Sequence, residues 1–268
     1  MENTNKRIYE LDLFRGISVI LMILDHFMFD IWGLLPTLFI NFPGANSFFT
    51  GLYNFSLYYW ESPVRIVVRY IVLFVFLALT GICCSFSRSN LKRGVKLLIV
   101  ALILTIVTGI TGYIIGDIDI MITFGILHSI ACSLLIVSLM EKFMVDKKLY
   151  LLLGILFTAM GIIAEIGQVE LSFVNNNIFS VIFQQIIGTA TAGGDTASLP
   201  FHCGQIMIGV YIGKAVYADK KSLFKKEYKS NFFTIIGRNS LLFYIAHQVI
   251  IPIILGLLLL ICGYKLNL

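Results

Sequence analysis

The chain has 268 residues, 58% of them hydrophobic and 13% charged, with a formal net charge of +5. With a mean hydropathy of +0.91, this composition excludes a soluble globular domain and predicts a polytopic membrane protein. The basic residues lie in short clusters between apolar runs, which is the pattern of cytoplasmic loops and not of a nucleic-acid-binding face.

Residues 1–10 form a short polar lead with Lys6 and Arg7. A first helix is predicted over residues 11–35, too long for a signal-peptide core and without a small-residue cleavage site. Residues 36–63 are rich in Phe, Tyr, Gly and Asn and carry Trp60. They are too polar and too broken to span, and suit the membrane interface. A second helix is predicted over 64–86, followed by a basic loop with Arg88, Lys92, Arg93 and Lys96. A third runs to about residue 115 and ends at an acidic turn with Asp117 and Asp119. A fourth spans 121–140, and a fifth 149–167. Residues 168–200 are polar at both ends. Their apolar patch at 178–187 is too short to cross and reads as an interfacial or re-entrant helix. A sixth helix covers 200–217, before the basic loop of Lys220, Lys221, Lys225, Lys226 and Lys229. The last segment, 232–263, is broken by GRNS into a short interfacial helix and a crossing helix. The expected fold is therefore an all-α transmembrane bundle of about seven crossings, a single domain over 1–268. The basic loops put the N-terminus in the cytoplasm and the C-terminus outside. The five cysteines lie in or beside apolar segments with no metal spacing, and read as packing residues.

The first helix carries Asp12, Arg15, Asp25, His26 and Asp30 within its apolar run. Charges at membrane depth are costly and face a bundle interior or an aqueous cavity, where they pair. Arg15 and His26 lie about 20° apart around the helix axis and roughly 16 Å apart along it. Asp12 sits one turn before Arg15, and Asp30 one turn after His26. Asp30 is thus expected to orient the His26 ring. Asp25 points elsewhere and suits a cation on a neighbouring helix such as Arg65 or Arg69. Ser240, Tyr244 and His247 share one face of the last helix.

The stretch YELDLFRGISVILMILDHFMFD resembles the first transmembrane helix of the heparan-alpha-glucosaminide N-acetyltransferase catalytic family. The Arg15–His26 spacing is also similar to that of a broader family of membrane O-acyltransferases. Three further stretches, LFVFLALTGICCSFSRSNLKRG, FGILHSIACSLL and IIGRNSLLFYIAHQVII, follow the first family in order. The resemblance implies a transmembrane acyltransferase. It would move an acyl group, acetyl being the first choice, from cytosolic acyl-CoA to an amine or hydroxyl of an extracytoplasmic glycan.

On that implication His26 is the base or the transient acyl carrier, because imidazole titrates near neutrality, and Asp30 is its catalytic companion. Arg15 and Arg238 are expected to bind the phosphates of acetyl-CoA, which guanidinium geometry suits. Arg15 also has a rival role as a snorkelling partner of Asp12. His128, Tyr244 and His247 are substrate or supporting polar residues, and His202 reads as a buried structural histidine. No metal is predicted: there is no HExxH motif, and no Walker or Rossmann loop. The expected partners are the lipid bilayer, acyl-CoA and the carbohydrate acceptor, with no nucleic acid; self-association stays open. The alternative is a small proton-coupled transporter or channel using the intramembrane Asp and His residues. The chain lacks the inverted repeat and paired broken helices of such folds.

Overall fold

A computed structural model describes residues 8–44, 46–116, 120–167, 178–189, 197–224 and 230–267. Among these the fold is helical throughout, with one isolated antiparallel bridge, Phe39 to Leu266, and no strand. The helices are α1 (Tyr9–Phe29), a π-turn (Asp30–Leu34), α2 (Leu35–Leu38), α3 (Ser47–Glu61), α4 (Pro63–Cys84), α5 (Asn90–Ile115), α6 (Ile126–Lys142), α7 (Lys147–Gly167), α8 (Ile178–Ile187), α9 (Leu199–Ala215), α10 (Phe232–Arg238) and α11 (Ser240–Ile261).

Five helical stretches are long and apolar enough to cross a bilayer: Tyr9–Leu38, Pro63–Cys84, Asn90–Ile114, Lys147–Glu165 and Ser240–Ile261. Only a helix or a closed barrel satisfies its backbone without water, and these runs use the first solution. Their outward faces are apolar. On α5, Leu102, Ile103, Ile106, Val107 and Ile110 are all exposed. This is the reverse of a soluble helix and is stable only against hydrocarbon. The chain is an integral membrane protein. Helices α6 and α9, with 17 residues each, are the two further segments expected to cross.

Three boundaries differ from the sequence reading. The aromatic stretch after the first helix holds a 15-residue helix, α3, because Asn46 caps it by accepting from the backbone N–H groups of Phe48 and Phe49. Helix α6 begins at Ile126 and not near 121, because Gly125 sits extended as its N-cap. The first helix is not uniform: its α-register ends at Phe29 and a π-turn follows. The apolar patch at 178–187 is the ten-residue helix expected. Asp117 and Asp119, most of the loop after α8, and Lys225, Lys226 and Lys229 lie outside the described residues.

The chain divides into two compact units. The first comprises residues 1–76 and 222–268. In it α1 packs on α10 with backbone against backbone. A Cβ built at Gly16 would meet the Phe233 carbonyl oxygen at 1.9 Å, and one at Gly237 would meet the Asp12 carbonyl oxygen at 1.9 Å. Glycine at both positions is what lets these helices touch. Glu10, nearly fully buried, fixes the start of α1 by accepting from the Ser222 hydroxyl at 2.6 Å and the Leu223 N–H at 2.7 Å. At the opposite end of α1 a core of Ile31, Leu35, Phe39, Phe42, Phe49 and Leu259 joins the π-turn, α2, α3 and α11. The Ile40 N–H donates to Lys265 and the Asn267 N–H to Leu38, which ties the C-terminal tail to the end of α2.

The second unit, residues 77–221, is built around α9. Gly209 lies against the backbone of Ala78, whose carbonyl oxygen its Cβ would meet at 2.1 Å. Asn90 donates to the Cys84 carbonyl and to both carboxylate oxygens of Glu141, and Arg93 donates to Asn90 Oδ1 at 3.0 Å. These bonds knit the ends of α4, α5 and α6. The Lys214 ammonium lies 4.7 Å from the centre of the Tyr150 ring.

Candidate active site

The first unit gathers most of the ionisable residues singled out in the sequence, and α1 is the element that positions them. It presents two chemically distinct faces. On one face Asp25 accepts from Arg65 Nε and Nη2, both at 2.7 Å, and from the Tyr59 hydroxyl at 3.1 Å. The Arg65 guanidinium also lies 3.7 Å above the Trp60 ring, and Trp60 stacks on Trp32 with centroids 5.2 Å apart. A two-pronged fork from a buried arginine satisfies Asp25 completely, so this carboxylate is structural. Burial and the neighbouring Asp25 carboxylate hold the Tyr59 phenol above its ordinary pKa, which keeps it a donor.

The other face meets α10 and α11. Near its start Asp12, buried, is flanked by two arginines. Arg238 Nε donates to Asp12 Oδ2 at 3.1 Å, and Arg15 Nη1 lies 4.0 Å from Asp12 Oδ1. The glycine contact explains the arrangement, because Gly237 seats α10 on α1 and leaves Arg238, the next residue, beside Asp12. Arg15 and Arg238, from opposite ends of the sequence, thus come together. Two guanidinium groups around one carboxylate leave a net positive charge suited to phosphate. The pairing of Arg15 with Asp12 is also the one the snorkelling reading required.

Further along the same face, His26 meets His247 of α11. Their rings stand edge to face, at 81°, with centroids 4.9 Å apart. Tyr244 lies against His247 at 5.8 Å. The His26 Nδ1 is 2.9 Å from the Met22 carbonyl oxygen, and the His247 Nδ1 is 3.1 Å from that of Phe243. A carbonyl only accepts, so each Nδ1 carries the proton. In its neutral form each ring then offers its Nε2 as an acceptor. The His247 Nε2 is buried with no hydrogen-bond partner among the described residues.

Asp30 departs from its expected part. It was expected to orient His26, yet the Met22 carbonyl does so, and Asp30 makes no hydrogen bond or ion pair among the described residues. Helical side chains lean toward the N-terminus, which carries the His26 ring back over Met22 and away from the turn that follows. Asp30 is nonetheless 92% buried, being 8% exposed, and it opens the π-turn.

His128 lies in the second unit and has a structural duty there. Its Nδ1 accepts from the Gly125 N–H at 3.3 Å, and its Nε2 is 3.1 Å from the Thr105 hydroxyl. That hydroxyl in turn donates to the Ile122 carbonyl at 2.8 Å. The imidazole caps α6 and ties it to α5, with both ring nitrogens occupied. His202 is likewise bonded, its Nδ1 3.1 Å from the Ser129 hydroxyl. No group of three or more His, Cys, Asp or Glu residues able to hold a metal occurs among the described residues. Sequence reasoning placed His26 and His247 separately but missed their contact. It also missed the π-turn, for which the local sequence gives no signal beyond Gly33.

No curated protein and no solved structure matches this chain. The family model for the catalytic region of heparan-alpha-glucosaminide N-acetyltransferase matches residues 45–249. That stretch runs from the start of α3 into α11 and includes His128, Arg238, Tyr244 and His247. The match starts after α1, so Arg15 and His26 connect to the matched region through the contacts just described, Arg15 by way of Asp12 and His26 through His247. Covering most of the sequence, it shows that the chain belongs to the heparan-alpha-glucosaminide N-acetyltransferase catalytic family.

Proposed function

We propose that the protein is a transmembrane acetyltransferase that takes its acetyl group from cytosolic acetyl-CoA and delivers it to an amine or hydroxyl of an extracytoplasmic glycan. The observation that carries this reading is the meeting of His26 and His247, whose rings lie 4.9 Å apart on the α1 face that also holds Arg15. The helix rise separates Arg15 from His26 by roughly 16 Å, a span comparable with an extended pantetheine arm. Arg15 and Arg238 hold the CoA phosphates at the inner mouth, and the thioester reaches the histidines. The acceptor's N–H or O–H proton passes to His26 Nε2 as the new bond to the acetyl carbon forms. The C–S bond then breaks, and the proton goes on to the departing CoA sulfur. His247 packs the His26 ring in place, and Tyr244 supports His247. In this reading α6 and α9 cross as well, giving seven crossings with the N-terminus inside and the C-terminus outside.

The experiment uses labelled acetyl-CoA, purified protein in lipid discs and a panel of amino and hydroxyl sugars. His26→Ala and His26→Gln should both lose about 10²- to 10⁴-fold in transfer rate, the typical cost of a general base. CoA affinity should stay within a factor of two or so of wild type. A folded His26→Gln protein that transfers at the wild-type rate refutes the assignment, since glutamine keeps a hydrogen bond but cannot take the proton.

A further inference from the structure

The proposed function leaves two polar groups on facing helices, the Asp30 carboxyl and the His247 Nε2, without a hydrogen-bonding role. Asp30 is 8% exposed, and its carboxyl has no donor or cation among the described residues. His247 is 5% exposed, and its Nε2 is buried and unpartnered among those residues. A buried polar group without a hydrogen bond is destabilising, and a fold retains that cost where the group serves a ligand.

The two groups lie at neighbouring levels of one helix pair. Helices α1 and α11 run parallel: Asp12 meets Arg238 just before α11 begins, His26 meets His247, and Phe39 meets the level of Gly256. The α-register of α1 persists to Asp30, whose N–H bonds to the carbonyls of His26 and Phe27. Asp30 therefore stands about 40° around the axis and one turn beyond His26, on the side turned to α11. Both helices are irregular just past the histidines. α1 opens into the π-turn at Asp30, and α11 carries Pro252, which has no N–H to continue the ladder. Within membrane proteins, irregular backbone of this kind is tolerated where it is buried in protein or lines a cavity, and π-turns recur at functional sites.

The chemistry of the unpartnered atoms selects the ligand. The Nδ1 protons of His26 and His247 are both committed to backbone carbonyls. In the neutral rings both Nε2 atoms are then acceptors, and the Asp30 carboxyl adds two acceptor oxygens. A ligand bearing several O–H or N–H donors would satisfy all three. Resting on the acetyltransferase reading, we propose that Asp30 and the His247 Nε2 form the acceptor subsite. They hold the hydroxyl or ammonium donors of a sugar beside His26, and Asp30 is a substrate-binding residue that does not act through the imidazole.

Methyl α-glucosaminide and methyl α-glucoside serve as the acceptor probes, with Asp30→Asn as the variant. The subsite predicts a rise of about 10- to 100-fold in KM for whichever sugar the wild type acetylates, the loss expected of a hydrogen bond to a charged group. The KM for acetyl-CoA should stay at the wild-type level. Removing an unsatisfied buried carboxylate should also leave the melting temperature unchanged or raised. Asp30→Leu should share that stability and lose acceptor affinity further. A lowered kcat with unchanged acceptor KM would overturn the proposal, as would a loss of folding in both variants. The acetyltransferase reading fails separately, if the wild type transfers acetyl to neither sugar. Trp32 and Trp60 are the only tryptophans, and Trp32 lies two residues from Asp30. Their fluorescence during titration with either sugar then decides the subsite by itself: weaker binding by Asp30→Asn than by wild type sustains it, and equal binding overturns it.

Discussion

Substitution of the two touching glycines is the most direct probe of how the arginines are assembled. A Cβ at Gly16 would lie 1.9 Å from the Phe233 carbonyl oxygen, and one at Gly237 would lie 1.9 Å from that of Asp12. A carbon and a carbonyl oxygen approach to about 3.3 Å in favourable contacts, so α1 and α10 must separate by roughly 1.4 Å. Neither atom met is at the end of a flexible side chain, and no rotamer change relieves the clash. Overpacking costs typically 1–3 kcal/mol, offset by at most about 1 kcal/mol from replacing a helical glycine. Gly16→Ala and Gly237→Ala should each destabilise by a net 1–2 kcal/mol or so. A like separation would stretch the Arg238–Asp12 bond from 3.1 Å beyond hydrogen-bonding range, so CoA affinity should fall with stability. The double variant should cost less than the sum, because helices already parted by one methyl accommodate the second. Thermal unfolding in one detergent, with CoA binding measured alongside, reads both effects. Gly51→Ala is the control: its Cβ meets nothing within 4 Å, so the change should be neutral or slightly stabilising. Strict additivity of the two costs, or no cost at all, would refute a shared backbone contact.

Three further outcomes are expected. Asp25→Ala strands the Arg65 guanidinium and should destabilise by about 3 kcal/mol, whereas Asp25→Leu with Arg65→Leu should recover much of that loss in a melting assay; a single variant as stable as wild type would contradict the buried pair. His128→Ala removes an N-terminal cap and should cost about 1 kcal/mol of stability while the transfer rate per folded molecule holds, and a rate loss without a stability loss would return His128 to the chemistry. Arg15→Ala and Arg238→Ala should each weaken CoA binding, measured by equilibrium titration, with Arg15→Lys restoring only part because a point charge lacks the two-pronged fork; unchanged affinity in both would return the two arginines to a structural pairing with Asp12.

The crossing helices were legible because their apolar runs are long and their ends are marked by basic clusters. The short helix before GRNS was legible for a different reason, the polar interruption itself. What the sequence did not disclose were the interactions that depend on tertiary approach. Helix α3 hides among Phe, Tyr and Asn residues with weak periodicity, and forms because Asn46 caps it and Phe49 and Ser56 are buried on packing. The fourth helix starts five residues late because a Gly–His cap is invisible in an apolar run such as MITFGILHS. His26 and His247 each stand out in their own segment, but nothing local specifies that they meet. Asp30 was misassigned for a similar reason, since i to i+4 spacing gives proximity along a helix and ignores the backward lean of the imidazole.

The two faces of α1 have opposite logic. Asp25, Arg65 and Tyr59 form a closed set in which the carboxylate and the guanidinium meet through paired, short bonds, so that face stabilises and specifies packing without reacting. One residue later, His26 turns toward α11 with its Nδ1 anchored and its Nε2 presented, and Asp30 follows it buried and unbonded among the described residues. A helix that only needed to cross the bilayer would carry neither set, since each charge at depth is costly. A helix that only needed to pack would carry the first set alone. The satisfied face supplies the rigidity that lets the unsatisfied one persist, because unpaired acceptors hold their geometry only when the surrounding structure fixes the backbone that bears them.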